Sequence, residues 1–295
     1  MDFFNTKQIN FIKTYRQVWL HNILYNPLYN FNKWNSQEHG LHIIKKQTIC
    51  SVMTSLYIGL LPIFIYVFPL YSEVYSYYFL YFMLIFYSVY LWFYSIIWES
   101  EVGSHTFIVQ RGLVMGFILF LLSEVMFFFS IFWAFFYFSL DASVGVGCQW
   151  PPYGIATWDI YTLPTLNTVI LLYSGISVTY CHQALLLGKR FESLVTLAFT
   201  ICLGLIFTVC QVFEYIHLSL TINDSVFGSI FYLSTGFHGL HVLIGTLFLL
   251  ICFFEHYNYR VLLDQHIGLE CAIWYWHFVD VIWLFLFVFI YCLGK

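Results

Sequence analysis

Glu124 is the charged residue within Leu113–Phe138, LVMGFILFLLSEVMFFFSIFWAFFYF. A carboxyl at mid-membrane depth is costly and rarely faces lipid, so it needs a polar partner or a proton-handling role. Ser123 stands beside it. Gln211, Glu214 and His217 recur at spacing three, which lines them along one face of a helix. His238 and His241 repeat that spacing in TGFHGLHVLIG, and His277 and Asp280 repeat it in WYWHFVDVIW. An imidazole beside a carboxylate can relay protons or be held as a ligand. It can equally form a polar seam between helices.

Metal chemistry needs more than this spacing. Zinc takes three or four converging ligands with an ordered shell behind them. Haem needs imidazoles at one depth and small residues that admit the ring. Gly236, Gly239 and Gly245 could admit a ring, and they could equally let helices pack closely. The expectation is that this chain binds no metal. The eight cysteines form no CxxC pair and sit mostly in apolar runs, as small hydrophobes do. The sequence has no phosphate loop, Ser-His-Asp order or basic nucleic-acid patch.

The elements that carry these residues follow from composition. The chain has 295 residues, 61% hydrophobic and 9% charged. A soluble domain carries about 25% charged residues, so this composition predicts an all-α, polytopic integral membrane protein. Residues 1–48 are polar and aromatic, lack the apolar core of a signal peptide, and read as a retained segment. Residues 49–295 read as one transmembrane domain. About 20 apolar residues cross a bilayer. Apolar runs predict seven spans, at about 50–68, 75–98, 111–140, 164–187, 194–220, 227–254 and 267–293. Pro62 is expected to kink the first, and Pro69 and Glu73 to mark the turn after it. Of the longer linkers, 141–160 is the one expected to be structured, since Trp150, Pro151, Pro152 and Trp158 could pack on a partner.

Cationic residues sort by compartment under this count. Lys7, Lys13, Arg16, Lys33, Lys45, Lys46, Arg111, Lys189, Arg190 and Arg260 fall on one side, and Lys295 on the other. Cytoplasmic or matrix loops carry the excess of Lys and Arg. The N-terminus is therefore expected on the matrix side and the C-terminus across the membrane.

Longer segments carry a resemblance. They are QRG at 110–112, ILFLLSEVMFF at 118–128, FWAF at 132–135, GCQWPP at 147–152 and LNT at 166–168. SGISVTYCHQAL at 174–185, Gln211 with Glu214-Tyr215, TGFHGLHVLIG at 235–245 and AIWYWHFVDVIWLFL at 272–286 complete the set. In this order and with these gaps, from about residue 98 onward, the chain resembles the cytochrome c oxidase subunit III family, as a divergent, protist-like member.

The resemblance implies seven transmembrane helices, two and then five, around a V-shaped cleft that holds phospholipids such as cardiolipin. It implies a non-catalytic subunit of respiratory complex IV in the mitochondrial inner membrane, with haem and copper held in partner subunits. Subunit I is the implied main contact, and subunit II lies elsewhere in the same complex. The implied role is to support assembly, stability and proton uptake while the complex oxidises cytochrome c and reduces oxygen to water. Glu124 matches the family carboxyl that reacts with carbodiimides. Trp98 and Glu255 stand where the family has arginines that meet lipid headgroups, Arg260 stands where it has a histidine, and Gln149 is an insertion in Gly-Cys-Trp-Pro-Pro. Lipid contact is therefore expected at Trp92, Glu99, His105, Arg111 and Arg260. Other readings are subunit III of a quinol oxidase, and a transporter. Against the transporter, no paired broken helices mark an inverted repeat.

Overall fold

The computed structural model describes residues 52–60, 75–101, 103, 105–142, 147–152, 154–155, 159–261 and 266–294. The expected N-terminal segment 1–48, the Pro62 kink, the turn at Pro69 and Glu73, and Trp158 lie outside these residues. The described chain is helical, with no strand among the described residues. Helix α1 is described over residues 52–60. It is followed by α2 (Tyr75–Glu101), α3 (Phe107–Leu140), α4 (Leu163–Leu186), α5 (Arg190–His217), α6 (Val226–Tyr257) and α7 (Ile267–Leu286). A π-helical turn, Phe287–Cys292, continues α7. Six of these helices are long and apolar enough to cross a membrane.

The helices start and stop where local chemistry dictates. Pro164 occupies the first turn of α4, where its missing N–H leaves no bond unmade. Gly188 ends α4 in a left-handed conformation, φ +73. Its N–H reaches Leu185 O at 2.9 Å and that of Lys189 reaches Ala184 O at 2.9 Å. This is a Schellman closure, and it favours glycine at the left-handed position. Ser225 caps α6, accepting from the Gly228 N–H at 3.3 Å. The same closure ends α6 around Tyr259, φ 63, with Arg260 N on Glu255 O at 3.0 Å.

Helix boundaries differ modestly from the sequence expectation. Helix α3 starts at Phe107, so Arg111 lies one turn inside it rather than at its head. Helix α5 begins at Arg190, immediately after the α4 closure, and ends at His217. At 34 residues, α3 is roughly 51 Å long at 1.5 Å per residue, well beyond a hydrocarbon core of about 30 Å.

The chain divides into two compact units, Met1–Gly112 and Leu113–Lys295. In the first, Tyr81 of α2 donates its hydroxyl to the Tyr57 carbonyl of α1. In the second, α7 is the most enclosed helix. Trp276 and Trp283 are fully buried along it. Their indole N–H groups donate to Ser174 Oγ at 2.9 Å and Thr168 Oγ1 at 3.0 Å, both on α4. A Cβ on Gly204 of α5 would lie 2.5 Å from the Thr246 methyl and 2.7 Å from the Trp276 ring. Only a hydrogen there lets α5, α6 and α7 close on that indole. Trp150 also packs inward, edge-on to Phe135 and Phe227 at 5.7 and 5.5 Å. These two rings hold the indole, which stays half-buried, at the end of the bundle.

Candidate functional site

The carboxyl on α3 meets an imidazole from α6. Glu124 Oε2 lies 2.9 Å from His241 Nε2, with side-chain exposures of 24% and 9%. The adjacent Ser123 is not its partner, since that hydroxyl donates to Phe120 O one turn back. His241 Nδ1 lies 2.7 Å from Phe237 O. A carbonyl only accepts, so Nδ1 carries a hydrogen. Nε2 then either accepts a proton from a neutral carboxylic acid or donates one to a carboxylate. Both arrangements place one proton in the same short contact and leave the pair with no net charge. That neutrality is what permits a carboxyl between apolar helices, because desolvating an isolated charge is far more costly. Phe128 packs edge-on to the imidazole at 5.1 Å and Tyr275 stacks at 6.3 Å.

His277 and Asp280 sit one turn apart on α7, 4.0 Å from Nδ1 to Oδ2. Thr179 Oγ1 donates to Gly175 O at 2.8 Å, so it can only accept at its 3.3 Å contact with His277 Nε2. Asp280 packs against Gly175, where any Cβ would come 2.8 Å from Oδ2. His238 is fully enclosed between Phe207 and Trp283 and donates from Nε2 to Val279 O at 3.2 Å. On α5, Gln211 and Glu214 are buried together, and Tyr291 of the π-helical turn donates to Glu214 Oε1 at 2.8 Å.

The expected polar set is thus brought together as separate pairs rather than as one continuous chain. His217 is the exception to the shared face on α5. It is exposed, bonded back to Phe213 O and stacked on the Phe213 ring. Two steps of three residues turn a helix through 600°, which leaves His217 about 120° from Gln211. Of the three glycines near His238, Gly245 serves close packing, since a Cβ there would lie 3.0 Å from Trp276. Gly236 and Gly239 face open space.

The expected lipid-contact residues fall at helix ends or on outer faces. In the first unit, Trp92 is half-buried beside Phe93, and Glu99 is buried near the end of α2. His105 lies in the short link before α3, where burial holds its imidazole below the ordinary pKa. Arg111 stands 4.3 Å over the Phe107 ring. In the second unit, Arg260 is paired with Glu255, at 3.1 and 3.4 Å from its two oxygens. The acidic residue at the usually basic position is therefore matched by the arginine five residues on.

Long apolar helices with ionisable groups buried inside them define a multi-pass membrane protein. The pattern of cytochrome c oxidase subunit III matches residues 39–295. The chain is 53% identical to cytochrome c oxidase subunit 3 of Anopheles gambiae over 205 residues, covering 69% of this chain and 78% of that protein. It is 52% identical to the Arabidopsis thaliana subunit over 205 residues, 69% and 77% of the two chains. The Mycosarcoma maydis subunit is 49% identical over 206 residues, 70% and 75%. The chain belongs to the cytochrome c oxidase subunit III family, and so to the membrane part of a haem-copper respiratory oxidase.

Proposed function

We propose that this chain is a non-catalytic subunit of complex IV that supports assembly, stability and proton uptake while partner subunits hold the haem and copper. The observation that carries this reading is the Glu124–His241 contact at 2.9 Å. It holds one exchangeable proton within the long apolar stretch of α3, with the Phe128 and Tyr275 rings beside the imidazole. Such a pair can stabilise helix packing and pass its proton between its two members without a change in net charge. Subunit I is the proposed main contact, with subunit II in the same complex, and phospholipid is a proposed ligand. Trp92, Glu99, His105, Arg111 and Arg260 are its proposed headgroup contacts. The relatives at about half identity are named for cytochrome c oxidase, which favours that electron donor over a quinol.

The test is Glu124→Gln in the assembled oxidase. Haem and copper spectra are expected to stay unchanged, while proton uptake or the number of turnovers before inactivation falls. Loss of haem on this substitution would overturn the reading. The orientation proposed from the cationic residues places the N-terminus in the mitochondrial matrix. Cleavage of the N-terminal segment by protease added from the intermembrane side would defeat it.

A further inference from the structure

Away from the Glu124 pair, three ligating side chains converge where α4 ends and α7 begins. His182 lies in the last turns of α4, His266 precedes α7 at its N-cap, and Glu270 is in the first turn of α7. One ligand atom from each lies within 4.8 Å of the other two. Glu270 Oε1 is 3.1 Å from His266 Nε2 and 3.8 Å from His182 Nε2. Tetrahedral zinc with bonds of about 2.1 Å separates its ligand atoms by about 3.4 Å, so these spacings bracket what such an ion needs.

A second observation points the same way. His182 Nε2 and both ring nitrogens of His266 are buried atoms without a hydrogen-bond partner. The contact with Glu270 is short, but it is not aligned as a hydrogen bond. Buried polar atoms are ordinarily satisfied, and here two of these nitrogens, His182 Nε2 and His266 Nε2, converge on one carboxylate with free lone pairs to offer a cation. Two cations near these helix ends have carboxylates of their own. Lys189 is paired with Glu192 at 3.2 Å and Arg260 with Glu255 at 3.1 Å. The side chains of His182 and Glu270 remain 27% and 29% exposed, which leaves a route of entry.

We propose that His182, His266 and Glu270 form a binding site for a zinc-class divalent cation, two imidazoles and one carboxylate with a fourth position open to water. An ion bound there ties the end of α4 to the start of α7. The site is separate from the Glu124–His241 pair, and its failure would leave the proposed role of that pair untouched.

The test uses the intact oxidase equilibrated with zinc and freed of excess ion. Metal content and the zinc X-ray absorption edge are compared for the native chain, His266→Ala, Glu270→Gln and, as control, His217→Ala. The first two variants are expected to lose one zinc per complex or bind it at least tenfold more weakly, and the control to match the native chain. The native difference spectrum is expected to report nitrogen and oxygen ligands without sulfur. Equal zinc content and affinity in all four proteins overturns the proposal. Should the variants fail to assemble, the native complex is treated with an imidazole-acylating reagent. Zinc is expected to protect His182 and His266 but not His217, and equal modification with and without zinc overturns the proposal.

Discussion

The second unit contains two constellations of histidine and glutamate, and they solve the same electrostatic problem in opposite ways. Glu124 and His241 lie within apolar helices, where water cannot finish a hydrogen bond left unmade. There the set is closed: each imidazole nitrogen has a partner and the pair is neutral. His182, His266 and Glu270 lie at helix ends, and that set is open, with converging nitrogens that bond nothing. In these two sets the difference follows depth, although Asn167, His238 Nδ1 and Asp280 Oδ1 inside the bundle are also buried without a hydrogen-bond partner. An unsatisfied group costs several kcal/mol in hydrocarbon, whereas near the surface water or an ion can supply what the protein does not.

The comparison breaks most sharply at His241. His241→Leu strands the Glu124 carboxyl between apolar helices, and removing one partner of a buried charged pair is expected to cost about 3 kcal/mol. The temperature at which this chain dissociates from the purified oxidase should fall accordingly. Replacing both Glu124 and His241 by leucine is expected to recover most of that loss, since apolar substitutes of similar size need no partner. A double variant as unstable as the single one would show that packing, not pairing, holds α3 to α6.

A smaller effect is expected at Arg190, which belongs to the surface end. Its Nη2 donates to His256 O at 3.0 Å and Tyr257 O at 2.6 Å, closing the C-terminus of α6 from the head of α5. The guanidinium also lies 3.3 Å over the Tyr259 ring. These carbonyls face partial access to water, so Arg190→Ala is expected to cost about 1–2 kcal/mol, read as the same dissociation temperature. An effect as large as that of His241→Leu would contradict the role given to depth.

Much of this was legible in the residues themselves. Apolar length fixed the helices, because a long continuous apolar segment satisfies its own backbone inside lipid only as a helix. Glu124 stood out because a carboxyl there is rare and needs a reason. What the chain order hides is pairing across distance. Nothing in the chain between Glu124 and His241, 117 positions apart, says that α3 and α6 meet at those residues. The triad at the other end was missed for the same reason, with His182 far upstream of the other two. Its one local signal was the i, i+4 spacing of His266 and Glu270, a single helical turn that suits one ion. His217 was placed wrongly because spacing three drifts around a helix when repeated. Gly204 and Trp276 show a further limit: the need for a hydrogen at one position is set by an indole contributed from another helix.

The smallest effect is expected for Glu270→Gln without zinc, and adding the ion then separates the two constellations. Without the ion, Glu270→Gln removes a partly exposed contact, and exposed pairs are worth about 0–1 kcal/mol. The variant should then dissociate at nearly the native temperature. With zinc present at about a hundred times its dissociation constant, binding to the native chain is expected to add about 2.7 kcal/mol to the folded, assembled form. The native temperature should rise and that of Glu270→Gln should not. Chelation should return the two proteins to the same value. The Glu124 pair provides the contrast: its variants should shift equally with and without zinc, because a closed pair has no open nitrogen to offer an ion. A zinc response that vanished in the Glu124 and His241 variants but survived in Glu270→Gln would reverse the assignment of the two regions.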